Sequence, residues 1–131
     1  MRAFTLIEML VYLAIFSFLI SGTLTAVATI QAANARHAAD ALVLEEGMFL
    51  LEVLEHAVAN GEDLSALQLA DGVLTYDSAA VSSNQVLVQN LSLIRSGIPV
   101  FVDITFTVQA HANDGTLRSH TFNERVYSDT P

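Results

Sequence analysis

The first part of the chain is almost entirely apolar. From Phe4 to Ile30 the sequence FTLIEMLVYLAIFSFLISGTLTAVATI carries a single charged residue, Glu8. As a helix, these 27 residues would extend about 40 Å at about 1.5 Å per residue, which exceeds a bilayer core of about 30 Å. The pattern therefore predicts a membrane-spanning helix, in which a charge such as Glu8 is costly unless a partner compensates it.

A cleaved secretory signal is the alternative for this segment. The apolar region of such a signal is only about 7 to 15 residues long, which is shorter than the run observed here. Arg2 precedes the run and Arg36 follows it, and the short N-terminus favours cytoplasmic placement with the remainder translocated. We therefore expect a single-pass cytoplasmic (inner) membrane protein with an extracytoplasmic C-terminal domain.

Residues 31–61 continue the helix with an amphipathic pattern. This stretch is rich in Ala, Leu and Glu, lacks proline and closes with an Asn-Gly pair, which is a helix stop signal. Met48 and the adjacent Phe49 are interpreted as core residues. The patterns predict one near-continuous helix from about Phe4 to Asn60. Apolar residues at three- and four-residue steps predict a single stripe that needs a cover, formed by Ala41, Leu44, Met48, Leu51, Leu54 and Val58.

After Gly61 the periodicity changes from helical spacing to alternation. Asp71-Gly72 lies between two short apolar runs and predicts a β-hairpin. The stretch SAAVSSNQ predicts a loop, and QVLVQNLSLI predicts a third strand that ends near Ser96-Gly97. Alternation in the next segment predicts a strand with one buried face, formed by Val100, Val102, Ile104, Phe106, Val108 and Ala110.

The turn ANDGT allows the register of the last hairpin to be tested against its side chains. A two-residue Asp114-Gly115 loop would place Ile104 opposite Arg125, which mixes buried with polar positions. A three-residue loop with Gly115 left-handed instead places similar residues opposite each other. The predicted partners are Val102 with Val126, Phe106 with Phe122, Asp103 with Arg125, Thr107 with Thr121 and Phe101 with Tyr127.

These elements predict an α+β fold. A long N-terminal helix, transmembrane in its N-terminal half and amphipathic in its C-terminal half, packs on a small antiparallel β-sheet. The apolar face of the sheet needs a cover, and the helix is the predicted element of suitable length.

Charge and composition restrict the partners. The chain has 14 acidic residues, five arginines and no lysine, which gives a formal net charge of -9. This balance repels a phosphate backbone, so we expect no direct binding of nucleic acid. The absence of cysteine excludes disulfides and thiolate metal sites.

No catalytic residue, metal ligand or cofactor is predicted. The histidines show no paired ligand spacing and are interpreted as solvated or partly buried structural residues: His37, His56, His111 and His120. In HANDGTL, a turn explains Asn113, Asp114 and Gly115, and a calcium loop is the alternative. The glutamates of EEGMFLLEVLE are interpreted as a solvated helix face rather than as paired catalytic carboxylates: Glu45, Glu46, Glu52 and Glu55.

The N-terminal stretch resembles the start of type IV prepilins and of the related pseudopilins of type II secretion. A short leader precedes FTLIE, and a long apolar segment follows. The resemblance implies cleavage between Ala3 and Phe4 by a prepilin peptidase, and N-methylation of the new Phe4 amine. It also implies a filament-assembly role for Glu8, whose carboxylate would pair with the Phe4 ammonium of a neighbouring subunit. The implied partners are other pilin or pseudopilin subunits, the prepilin peptidase, an inner-membrane assembly platform and membrane lipid.

The resemblance divides the chain into four segments: a leader at 1–3, a transmembrane and assembly helix at 4–30, its amphipathic continuation at 31–61, and an antiparallel β-sheet head domain at 62–131. Ala3 stands where the family prefers Gly. The helix lacks the bending proline found in many major pilins, and the chain lacks their C-terminal disulfide loop. Both absences favour a minor pilin or pseudopilin.

Two functions follow from these expectations. The first is a structural subunit of a type IV pilus-like filament, or of a secretion or competence pseudopilus, and not an enzyme. The alternative is a membrane-anchored extracytoplasmic module for binding or adhesion that does not assemble into a filament. The two differ in whether the N-terminus is processed and whether Glu8 matters.

Overall fold

Helix α1 spans Leu6–Ala59 in the computed structural model of the chain, which describes residues 5–97 and 100–127. The predicted near-continuous helix is confirmed within this part of the chain, and its first predicted residue, Phe4, lies outside the described residues. Good helix formers and the absence of proline allow these 54 residues to remain in one helix. By its internal contacts the chain divides into two units, Met1–Asn34 and Ala35–Pro131.

The end of α1 is closed by the predicted stop signal. Gly61 has a φ of 67°, in the left-handed region that glycine adopts readily. Its backbone N–H donates to Val58 O at 3.1 Å, and the N–H of Glu62 donates to Ala57 O at 2.9 Å. This pair of bonds is the Schellman arrangement, which satisfies carbonyl groups of the last helical turn.

A first antiparallel sheet follows a short 3-10 helix at Leu64–Ala66 and consists of β1 (Leu67–Ala70), β2 (Val73–Tyr76) and β3 (Ala79–Ala80). Positive φ angles at Asp71 (51°) and Gly72 (79°) form the predicted two-residue hairpin turn. Strand β3 corrects the prediction that SAAVSSNQ is entirely loop, because Ala79 and Ala80 pair with the end of β2.

A second antiparallel sheet contains β4 (Leu87–Ser96), β5 (Phe101–His111) and β6 (Leu117–Tyr127) in that order. The strands therefore form two three-stranded sheets rather than one. Gly115 has a φ of 81°, so the three-residue loop is confirmed. The predicted register is confirmed at every pair: Val102 with Val126, Phe106 with Phe122, Asp103 with Arg125, Thr107 with Thr121 and Phe101 with Tyr127.

The core lies between α1 and the inner face of the second sheet. Strand β5 is buried at every second residue from Val102 to Ala110, as the alternation predicts. The buried side of α1 consists of Ala39, Val43, Gly47, Leu50, Leu54, Ala57 and Val58.

The predicted helix stripe was therefore partly wrong. Leu54 and Val58 are buried, and Leu51 is partly buried against the core. Ala41 is exposed, and so are Leu44, Met48 and Phe49, with the last two exposed by 65% and 50%. Two stripes at helical spacing run along this part of α1: the predicted one and the buried one listed above. The sheet covers the buried stripe, which contains Gly47. The core assignment of Met48 and Phe49 is thus wrong.

Gly47 explains why this side of the helix faces the sheet. A Cβ built on Gly47 would overlap the ring of Phe122, so only glycine permits this approach. The ring of Phe122 is itself held by stacking on Phe106, with 5.2 Å between ring centroids. The position at which glycine weakens helix propensity is therefore one where α1 packs directly against a side chain of β6.

Ion pairs connect α1 to the last hairpin. Arg118 Nε and Nη2 donate to the two carboxylate oxygens of Asp40 at 2.6 and 2.8 Å, and Arg36 Nε donates to Asp114 Oδ2 at 2.7 Å. Asp114 Oδ1 also accepts from the backbone N–H of Thr116 at 3.0 Å. Hydrogen bonds from Thr116, and then from Arg36, lower the pKa of Asp114 to about 2.

We expect Gly47→Ala to lower the free energy of unfolding. The gain in helix propensity is about 1 kcal/mol, whereas overfilling a packed site costs about 1–3 kcal/mol. Thermal unfolding of the full chain in detergent, followed by circular dichroism, measures the change. Gly22→Ala is the matched control, because a Cβ at Gly22 meets nothing within 4 Å. A Gly47→Ala variant as stable as the Gly22→Ala variant would contradict the tight contact with Phe122.

We expect the midpoint temperature of thermal unfolding to fall as the pH drops from about 4 to about 2. The folded-state pKa of Asp114 lies below its ordinary value of 3.8, so its stabilising effect is present above the ordinary value and is lost on acidification through the folded one. Asp114→Asn should make the midpoint depend less steeply on pH in this window. Glu45→Gln is the matched control, because it removes an exposed carboxylate that forms no ion pair within the described ranges. Equal slopes for wild type and Asp114→Asn would contradict the assignment.

Candidate functional site

The N-terminal part of α1 presents apolar side chains in all directions. The large apolar residues between Leu6 and Ile30 are exposed by 43% at Ile20 to 81% at Phe18. A surface of this kind is unfavourable in water and needs lipid or protein around it. By length and composition, α1 is also long enough and apolar enough to cross a membrane.

Three threonine hydroxyls in this segment bond to the helix backbone. The Oγ1 atoms of Thr23, Thr25 and Thr29 donate to backbone carbonyls of the preceding turn at 2.9, 2.9 and 2.8 Å. A helix that satisfies its own polar groups is compatible with a hydrocarbon environment. The sequence pattern alone missed this feature, although threonine in a helix commonly bonds to a carbonyl three or four residues earlier.

Glu8 is the single charged residue of the segment from Phe4 to Ile30. It lies in the first turn of α1, where its backbone N–H donates to Thr5 O at 3.0 Å. The positive end of the helix dipole favours a carboxylate at this position. The Glu8 side chain is exposed, and it forms no ion pair within residues 5–97 and 100–127.

Ala3 and Phe4, the predicted cleavage and methylation position, lie outside the described residues. Within the described residues, Glu8 is a carboxylate without a cation at the start of an exposed apolar helix.

The remaining polar candidates lie in the unit Ala35–Pro131. All four histidines are exposed, as expected, and no group of three or more His, Asp or Glu suited to a metal ion occurs within the described ranges. Glu46 corrects the interpretation of a uniformly solvated glutamate face, because its Oε1 accepts from the Ser83 backbone N–H at 2.5 Å. The turn residue Asp114 accepts hydrogen bonds from Thr116 and Arg36.

The fold and this segment together define a class of protein: a pilin-like α+β chain with a long apolar N-terminal helix packed on small antiparallel sheets. Residues 1–24 match the family described as the prokaryotic N-terminal methylation motif. This motif and this fold support a protein of the type IV prepilin and pseudopilin type. Comparison with curated proteins and with solved structures gave no significant match.

We expect membrane insertion to depend on the apolar residues and not on Glu8. Glu8→Leu should remain in membranes after alkaline carbonate extraction as completely as wild type. Leu19→Arg is the contrasting variant, because an arginine at the centre of a spanning helix costs about 2.5–3.5 kcal/mol in insertion. Release of Glu8→Leu, or full retention of Leu19→Arg, would contradict the assignment of this segment as the span.

Proposed function

We propose that this protein is a minor pilin or pseudopilin, a structural subunit of a type IV pilus-like filament or of a secretion or competence pseudopilus. The observation that carries the proposal is Glu8, a carboxylate without a described cation in an exposed apolar helix, inside the segment that matches the methylation motif. A helix that only anchors a domain gains nothing from such a charge.

N-terminal processing would supply the missing cation. We propose that a prepilin peptidase cleaves between Ala3 and Phe4 and that the new Phe4 amine is methylated. A methylated amine still carries a positive charge near neutral pH, since α-amino groups have pKa values of about 7.7–8.0. The mature chain would then present an ammonium group four residues before the Glu8 carboxylate.

The Glu8 carboxylate would pair with the Phe4 ammonium of a neighbouring subunit. A lone charge in lipid is expensive, and a pair enclosed by helices loses less because each charge offsets the other. Entry into a bundle of subunit helices would thereby be favoured over remaining alone in the membrane. The pair would also fix the axial position of one subunit against the next.

The partners follow from this mechanism. They are other pilin or pseudopilin subunits, the prepilin peptidase, an inner-membrane assembly platform and membrane lipid. We place the protein in the cytoplasmic (inner) membrane, with its C-terminal domain outside the cytoplasm, before it enters the filament. Its contribution is structural and not enzymatic.

We expect Glu8→Leu and Glu8→Ala to abolish incorporation into filaments while the protein remains in the membrane. Sheared filaments and membranes from the same cells, probed with one antibody, measure the two pools. Met9→Leu is the matched control, because it changes the next residue without altering charge. Normal incorporation of both Glu8 variants would contradict the proposed pairing.

Intact-mass analysis of the membrane-extracted protein distinguishes the subunit from the anchored binding module. A subunit should lack residues 1–3 and carry one added methyl group on Phe4. An anchored module should retain Met1 or lack methylation, and that result in cells with an active prepilin peptidase would favour the alternative.

A further inference from the structure

A groove of about 370 Å³ lies between the last turns of α1 and the first sheet. It lies within the unit Ala35–Pro131 and contains none of the residues assigned to filament assembly. A volume of this size falls in the range of sites that take a small ligand or a single long side chain.

The floor of the groove is apolar. Leu54 and Ala57 of α1 are buried there, and Leu67 and Val81 from β1 and the segment after β3 are half-buried. An occupant therefore needs an aliphatic portion to fill the floor. A purely polar ion would leave these side chains in contact with water.

The rim of the groove is acidic and aromatic. Glu52 and Glu62 are both exposed there, beside the rings of Phe49 and Tyr76. The Tyr76 hydroxyl donates a hydrogen bond to the Glu62 carboxylate, which raises the pKa of Tyr76. A carboxylate retains further acceptor capacity after one such bond.

No arginine of the described residues lines the groove to neutralise these carboxylates. The ion pairs of Arg36, Arg118 and Arg125 are made elsewhere in the unit. The basic side chain at the rim is His56, whose Nδ1 lies 2.9 Å from Asn60 Nδ2. The rim thus offers negative charge that no neighbouring guanidinium satisfies.

We propose that this groove binds an arginine side chain presented by a protein partner. The methylene stem would cover the apolar floor while the charged head remains at the rim. A guanidinium is planar, so it can donate to Glu52 or Glu62 and lie against the ring of Phe49 or Tyr76. The net charge of -9 attracts a basic partner at longer range.

This inference goes beyond the proposed function and does not depend on it. The groove involves neither Glu8 nor the processed N-terminus, so an arginine site could exist in a subunit or in an anchored binding module. A Glu8→Leu variant should therefore bind an arginine probe as wild type does.

The test uses the full chain in zwitterionic detergent micelles, with Nα-acetyl-arginine amide as the probe and Nα-acetyl-citrulline amide as its neutral isostere. Chemical shifts of the Val53 and Val81 methyl groups and the Tyr76 ring report occupancy of the groove. We expect saturable shifts with the arginine probe and about tenfold weaker binding of the citrulline probe, because the charged hydrogen bonds are lost.

Substitutions separate recognition by the groove from general attraction to an acidic protein. The double variant Glu52→Gln/Glu62→Gln should bind the arginine probe about tenfold more weakly than wild type, with an otherwise unchanged spectrum. Glu45→Gln removes an exposed carboxylate from the same helix outside the groove, and should bind as wild type does. Equal binding of the two probes, or an unchanged affinity in the double variant, would overturn the proposal.

Discussion

An ionised carboxylate in an apolar helix must have a partner, and this requirement organises the N-terminal part of the molecule. The threonine hydroxyls of the same segment bond to the helix backbone, so they are compatible with lipid. Glu8 has no cation within the described ranges. A partner supplied by another chain turns this cost into a preference for assembly, which is the basis of the proposed filament role.

The C-terminal part of α1 meets a different constraint, which is close packing. Gly47 allows the helix to approach Phe122. The other buried side chains of α1 pack in one core cluster with those of the inner face of β5. Two ion pairs then connect the helix to the last hairpin. The pair of Asp40 with Arg118 is bidentate, and Arg36 makes a single hydrogen bond to Asp114. Packing therefore supplies the stability of a domain that has no disulfide.

Elements governed by local rules were predictable from the sequence. Alternation specified the buried face of β5, and the requirement to place similar residues opposite each other specified the register of β5 and β6. The stop signal at Gly61 and the hairpin at Asp71-Gly72 were also correct, because positive φ angles have strong residue preferences.

Features that depend on tertiary contact were not predictable in the same way. Two apolar stripes on α1 satisfy the helical period equally well, and the deciding residue, Gly47, has no side chain to mark a core position. Strand β3 is only two residues long and carries no alternation. The hydrogen bond from the Ser83 backbone N–H to Glu46 joins segments that are distant in the sequence, so no local pattern predicts it. For the site, the motif indicated Glu8, whereas the partner proposed for it would belong to another molecule and so leaves no pattern in this chain.

The most direct test of the central claim is a photo-crosslink placed one helical turn from Glu8. Tyr12 is replaced by p-benzoylphenylalanine, and cells that produce this variant are irradiated. Crosslinked peptides from their filaments and membranes are then identified by mass spectrometry. We expect crosslinks to the processed N-terminus of a neighbouring subunit when Glu8 is present, and we expect their loss in Glu8→Leu. Identical crosslinks in both chains, or crosslinks to lipid alone with Glu8 intact, would contradict the account.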